Sequence, residues 1–304
     1  MRRYRRIISV GATLQLALGL LITDHSSWAD TSTSVEVPQN TSTATTQKPL
    51  LERLSEVGTL SLYSVYAGSP INNLGSSYQP SSDGTLDTSS PHVFDTTVTT
   101  GYRLSKYSFA GVVNHFKYFP IGNPVGAGDR ITFMDPVLYV SRSKLIEYQG
   151  LVVDGRLTSQ LPLSSNDGLQ ANGLATALSA VLNAHIDVPT TKLTMGLFGY
   201  LRGYIATSTS PANAPTYKVY LAPYANYQLT KRVAATLWID LLSATRKAGT
   251  GLISGLKAGT VDIEPGLNFD ITDNISINPV LNLYPGNLTL ASTSIMAFLT
   301  AKAF

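Results

Sequence analysis

The clearest pattern lies near the C-terminus. From Val261 to Ile271 the odd positions are apolar (Val261, Ile263, Pro265, Leu267, Phe269, Ile271), while Asp262, Glu264, Asn268 and Asp270 occupy the even ones. After a polar turn, Thr272-Asp273-Asn274, the alternation resumes with Ile275, Ile277, Pro279, Leu281 and Leu283 set against Ser276, Asn278 and Asn282. A period of two places successive side chains on opposite faces of a strand. About 9–11 tilted residues of such a strand cross the hydrocarbon of a bilayer.

The same period recurs upstream and predicts about twelve strands, near 57–68, 92–104, 107–118, 131–142, 146–160, 174–187, 192–206, 216–229, 231–245, 259–271, 275–284 and 290–304. Short turns are expected at 105–106, 141–144, 189–191, 230–231 and 272–274. Longer connections are expected at 69–91, 119–130, 161–173, 207–215, 246–258 and 285–289. An even number of antiparallel strands, joined by short turns at one end and long loops at the other, is the topology of a transmembrane antiparallel β-barrel. A soluble sandwich has no reason to alternate its connections in this way.

With the apolar parity turned outward, the charges collect on the other face. The expected lumen-lining residues are Asp95 and Arg103, then Asp135, then Asp154 and Arg156. Lys192, Arg202, Lys218 and Arg232 form a basic set, and Trp238, Asp240, Asp262, Glu264 and Asp270 a mainly acidic one. Phe198, Tyr200, Tyr220 and Tyr224 share the inward parity of their strands, and Arg246 extends that of 231–245. Lys or Arg on the lipid face at mid-bilayer costs roughly 2–4 kcal/mol, which keeps charges on one parity. Glu147 breaks the rule within 146–160, and a bulge near Gly150 would reconcile it with Asp154 and Arg156.

A weak repeat runs through the strands: Asp135-Pro136, Ala222-Pro223, Glu264-Pro265 and Asn278-Pro279. Proline has no N–H to give to a ladder, so each is expected to mark a bulge or kink.

The chain ends on Phe304. A final strand closing on an aromatic residue resembles bacterial outer-membrane β-barrel proteins, whose assembly machinery reads that strand. Met296, Phe298 and Thr300 share the parity of Phe304; Lys302 shares it too, where the family usually carries an aromatic or apolar residue. The resemblance implies integration in the outer membrane of a Gram-negative bacterium, with lipid, lipopolysaccharide and the assembly machinery as partners and Phe304 as the assembly signal.

Composition agrees with this. The 304 residues are 43% hydrophobic and 13% charged, with 24 Gly, 16 Tyr and no Cys. Closure must therefore come from hydrogen bonding rather than disulfides. Residues 1–29 read as a signal peptide: Arg2, Arg3, Arg5 and Arg6, an apolar run from Ile7 to Ile22, then Ser27-Trp28-Ala29 and a cleavage site between Ala29 and Asp30. Beyond it lie 18 basic and 18 acidic residues, which removes the electrostatic case for nucleic-acid binding. Residues 30–56, rich in Ser, Thr and Pro, read as a flexible periplasmic segment.

Catalytic chemistry is not found. None of His92, His115 and His185 has a serine two residues on, and no acidic pair with histidine suggests a protease. Val125–Arg130 precedes a strand rather than a helix and reads as a loop; Asn166-Asp167-Gly168 reads as a turn rather than a Ca²⁺ site. No enzyme, cofactor or metal is expected. Two functions remain: a narrow passive channel for ions or small polar solutes, and a closed barrel acting structurally or adhesively through its external loops.

Overall fold

Twelve antiparallel strands close on themselves without a free edge. The structure is a computed structural model and describes residues 57–120, 130–164, 168–251 and 256–303. The proposed leader, its cleavage site, the segment 30–56 and Phe304 lie outside them. The strands are β1 (Gly58–Pro70), β2 (Val93–Arg103), β3 (Ser108–Tyr118), β4 (Val137–Tyr148), β5 (Leu151–Gln160) and β6 (Leu174–Asp187). They continue with β7 (Leu193–Ala206), β8 (Pro215–Gln228) and β9, in two pieces (Val233–Asp240 and Leu242–Lys247). The last three are β10, also in two pieces (Leu256–Ala258 and Asp262–Asp270), β11 (Ile275–Asn282) and β12 (Ser294–Lys302). Each strand pairs with its neighbours in sequence, and β12 returns to β1, so the first and last strands complete the ring. Closure gives every strand a partner on both sides, which a barrel in lipid requires.

The outward faces are apolar and exposed. Leu138, Leu182, Leu197, Leu201, Leu237, Leu267, Leu281 and Leu299 all point away from the interior. A continuous apolar exterior with the polar side chains inside inverts a soluble core and matches a wall that faces hydrocarbon. Tyr66, Phe94 and Tyr118 add an outer aromatic row at the long-loop end, with ring centroids 5.0 and 6.2 Å apart.

Several boundaries differ from those expected. The tight turn after β4 is at Gln149-Gly150, not 141–144; both residues have positive φ (49° and 84°), as the primed two-residue hairpin turns require. Glu147 therefore belongs to β4 rather than β5, and it pairs with Val152 on the inward parity. No bulge at Gly150 is needed. The irregularity lies within β4 instead, where the register shifts between Arg142 and Ile146 and Lys144 has φ 51°.

In β9 the register to β8 slips by one residue at Leu241. Arg246 then pairs with Tyr217 on the outward parity, not the inward one, with its guanidinium 5.9 Å from that ring. The last strand begins at Ser294 rather than 290. Its membrane-facing side chains are Ile295, Ala297, Leu299 and Ala301; Met296, Phe298, Thr300 and Lys302 take the inward parity. Met296, Phe298 and Thr300, which share the parity of Phe304 in sequence, therefore turn toward the interior.

The prolines acquire a physical reason. Pro223 faces the slip in β9, between the pairs Leu221–Leu242 and Tyr224–Trp238. Pro265 and Pro279 both fall where the β10–β11 ladder is interrupted, and Pro136 follows the break between Ile131–Phe133 and β4. Each lies at a break in one ladder, where no N–H is called for.

Of the long connections, the first, the fourth and the last fall wholly among the described residues. The first carries a small hairpin (Tyr78–Pro80 with Leu86–Pro91). Asp83 and Asp87 accept hydrogen bonds from Thr85 and from Ser89 and Ser90, which pull both carboxyls below the usual range.

Candidate functional site

The interior of the barrel is the site, because the inward parity brings the polar and charged side chains together there. On β7, β8 and β9 the register sets Tyr200 opposite Tyr220 and Tyr224 opposite Trp238. Tyr200 and Tyr220 stack with centroids 5.0 Å apart at 15°, and Tyr224 and Trp238 at 5.4 Å and 12°. Phe198 fills the angle between them, 6.0 Å from Tyr220 and 5.7 Å from Trp238. Gly196 lies beneath the Tyr224 ring, where a Cβ would come within 2.3 Å of it. These five rings form an aromatic partition across one side of the lumen.

Basic side chains stand on one side of the partition. The Arg202 guanidinium lies 5.4 Å from the Tyr200 centroid, with Nε donating to Ser179 Oγ at 3.0 Å. Lys218 Nζ approaches the same ring at 5.9 Å, and Arg156 lies 4.8 Å from Tyr139. Arg142, Arg156, Arg202, Asp154 and Asn183 help line a cavity of about 580 Å³ on this side.

The acidic residues stand on the other side. Asp240 opposes Asp262, and Trp238 opposes Glu264, across β9 and β10. Trp238 Nε1 donates to Asp240 Oδ1 at 2.8 Å, and the Tyr220 hydroxyl donates to the same oxygen. Asn282 Nδ2 donates to Asp262 Oδ2 at 2.9 Å. Asp240 and Glu264 line a second cavity of about 460 Å³ together with Tyr63, Trp238, Met296 and Phe298. Among the described residues, no ion pair joins Arg202 or Lys218 to these carboxylates, so the two walls do not neutralise one another by contact.

The remaining candidates divide by place. Asp95 faces inward and pairs with His115 Nε2 in a short contact, beside Lys117 in register. Arg103 lies inside the turn end, 5.6 Å from the Phe109 ring, and Asp154 Oδ1 accepts from the Lys144 amide at 2.8 Å. Asp270, the last residue of β10, accepts from Asn268 Nδ2 at 2.9 Å.

Three of the fourteen expected lumen residues are placed elsewhere. Lys192 and Arg232 are exposed on the turns preceding β7 and β9, because each strand begins one residue after them; Arg232 donates to Ile271 O at 3.0 Å. Asp135, 1% exposed, is a loop anchor. Its carboxylate accepts from the amides of Leu163, Ser164 and Leu169 at 2.8, 2.7 and 2.6 Å.

The histidines also divide. His185 faces inward on β6, and His92 is buried at the long-loop end. His92 Nε2 lies 3.0 Å from Ser69 Oγ, and His92 Nδ1 lies 3.4 Å from the Tyr66 hydroxyl. A serine, histidine and hydroxyl in a row suggest acyl transfer, but that reaction needs amide donors where the oxyanion forms. Ser69 Oγ instead meets the carbonyl oxygens of Leu74 and Ser76 at 3.0 and 3.4 Å. The cluster ties the first loop to the top of β1. Val125 and its glycine-rich neighbours, with Asn166 and Asp167, lie outside the described residues.

Residue-by-residue parity missed the partition. Its signal lies in the cross-strand register, which sets inward aromatics from three consecutive strands beside one another.

No described family's sequence profile matches the chain, and no curated protein does. Among solved structures it is similar to an outer membrane channel from Pseudomonas putida F1, with 11% identity over 81% of this chain and 96% of that one, at a TM-score of 0.48. It is also similar to the NanC porin, with 9% identity over 80% of this chain and 97% of that one, at a TM-score of 0.43.

Proposed function

We propose that the protein is an outer-membrane barrel acting as a narrow passive channel for small polar solutes or ions. One observation carries this reading: the interior holds two cavities, one lined mainly by basic side chains (Arg142, Arg156, Arg202, with Asp154) and one by the carboxylates of Asp240 and Glu264, where a closed barrel would be filled by packed side chains. Twelve strands lie between the eight that fill themselves with side chains and the sixteen or more of open porins. The basic wall (Arg156, Arg202) and the acidic wall (Asp240, Glu264) would orient a dipolar solute across the lumen, and low-dielectric surroundings focus the field between them. Nothing in this reading requires enzymatic chemistry.

The aromatic partition favours the second reading, a closed barrel working through its loops. Single-channel recording of the purified protein in planar bilayers separates the two: the channel gives discrete conductance steps, and a sealed barrel gives none.

A further inference from the structure

The acidic cavity has a chemistry of its own. Its lining includes the carboxylates of Asp240 and Glu264 and no Lys, Arg or His. Asp240 is already engaged by Trp238 and Tyr220. Glu264 is different: it is 9% exposed, it lines the cavity, and among the described residues its carboxylate meets no hydrogen-bond donor or cation. A buried carboxylate left without a partner is costly, and Asp262 and Asp240 nearby add like charge. A proton, or a cation from outside the chain, relieves both.

The rest of the lining selects the kind of cation. Tyr63 and Phe298 stack at 6.1 Å on one side, Tyr224 and Trp238 stand on the other, and Met296 completes the apolar lining. A strongly hydrated metal ion wants a shell of oxygens, and no group of three acidic or histidine side chains among the described residues is disposed to hold one. A cation with an apolar body gains from aromatic and thioether surfaces, as in the aromatic cages that hold alkylated ammonium groups.

We propose that this cavity is a binding site for a small organic ammonium ion, with its charge on Glu264 and its carbon body against Tyr63, Trp238 and Phe298. The proposal rests on the channel reading, since it assigns a solute class to one compartment of the same lumen.

Of the two tryptophans in the sequence, Trp28 falls within the proposed leader and Trp238 stands in the cavity wall, so the chain from Asp30 onward carries one reporter. That protein, folded in detergent micelles, is titrated with tetramethylammonium chloride, methylammonium chloride and sodium chloride while Trp238 fluorescence is followed. The expected result is a saturable change with both ammonium salts and a response at least about tenfold weaker for sodium. Adding Glu264→Gln should weaken both ammonium responses about tenfold or more, with the heat-dependent gel shift confirming the fold. Phe298→Leu should weaken the ammonium responses while leaving that to sodium alone. Equal responses to sodium and tetramethylammonium, no saturable response, or an unchanged Glu264→Gln titration would each overturn the site. Bilayer recordings on the same preparations keep the two ideas apart: conductance without binding removes only the ammonium site, and binding without conductance removes only the channel.

Discussion

Arg202 and Asp240 face the same lumen with opposite charge and are held apart by two stacked tyrosines. The guanidinium lies over Tyr200, Tyr200 stacks on Tyr220, and the Tyr220 hydroxyl donates to Asp240. The rings keep the basic and acidic compartments distinct while satisfying one polar group on each side. Direct pairing would gain Coulomb energy but fill the space between the walls.

Shortening the partition should therefore open the lumen. Tyr220→Ala removes a stacked ring and a donor to Asp240, which keeps Trp238 Nε1. Single-channel conductance is expected to rise above that of the wild type, with a loss of about 1–3 kcal/mol in stability from the lost burial and stacking. Unchanged conductance would show that solute does not pass beside these rings.

The loop anchor gives a test away from the lumen. Asp135→Ala leaves the amides of Leu163, Ser164 and Leu169 without their acceptor, a loss of about 1–3 kcal/mol for the first unsatisfied group alone. Gly168→Ala should act similarly, since its Cβ would lie 2.4 Å from the Asp135 carboxylate. Limited proteolysis should cut near 161–173 faster in both variants, while the barrel remains resistant.

Burial holds the His92 imidazole below its ordinary pKa of 6.5, so its neutral form belongs to the folded loop. The Ser69–His92–Tyr66 contact is therefore at full strength above the unfolded value and weakens as the pH falls through the lower, folded one. Hydrogen exchange in residues 71–92, corrected for intrinsic rates, should quicken relative to the strands on going from about pH 7 to pH 5. His92→Gln should remove that dependence. If wild type and variant respond alike, the loop's pH response lies elsewhere.

The period of two made the strands legible, and alternating connection lengths made the barrel legible, because both follow from pleat and topology. The departures come where the backbone breaks its own period. Gln149-Gly150 is a less familiar primed-turn pair than Asn-Gly, so the sequence pattern places the β4–β5 boundary several residues early. The slip at Leu241 reverses the face of Arg246, and no side-chain pattern announces a one-residue bulge. Lys192 and Arg232 have the inward parity yet sit on turns, since parity says nothing of how far a strand extends. Asp135 has the pattern of a lumen charge in sequence, because its partners, three loop amides, leave no trace there.

An integral barrel should also resist unfolding by detergent. Unheated protein in sodium dodecyl sulfate should migrate faster than boiled protein, because the closed ladder survives until heated. Purification as a soluble monomer without detergent would contradict a wall that faces lipid.

The most direct test is the reversal potential of the purified protein in a planar bilayer under a salt gradient, compared with that of the Asp262→Asn, Glu264→Gln double variant. An open lumen with separate charged walls predicts discrete conductance in both proteins and a shift toward anion preference in the variant, with the heat-dependent gel shift unchanged. No conductance in either protein, or identical selectivity in both, would contradict the account.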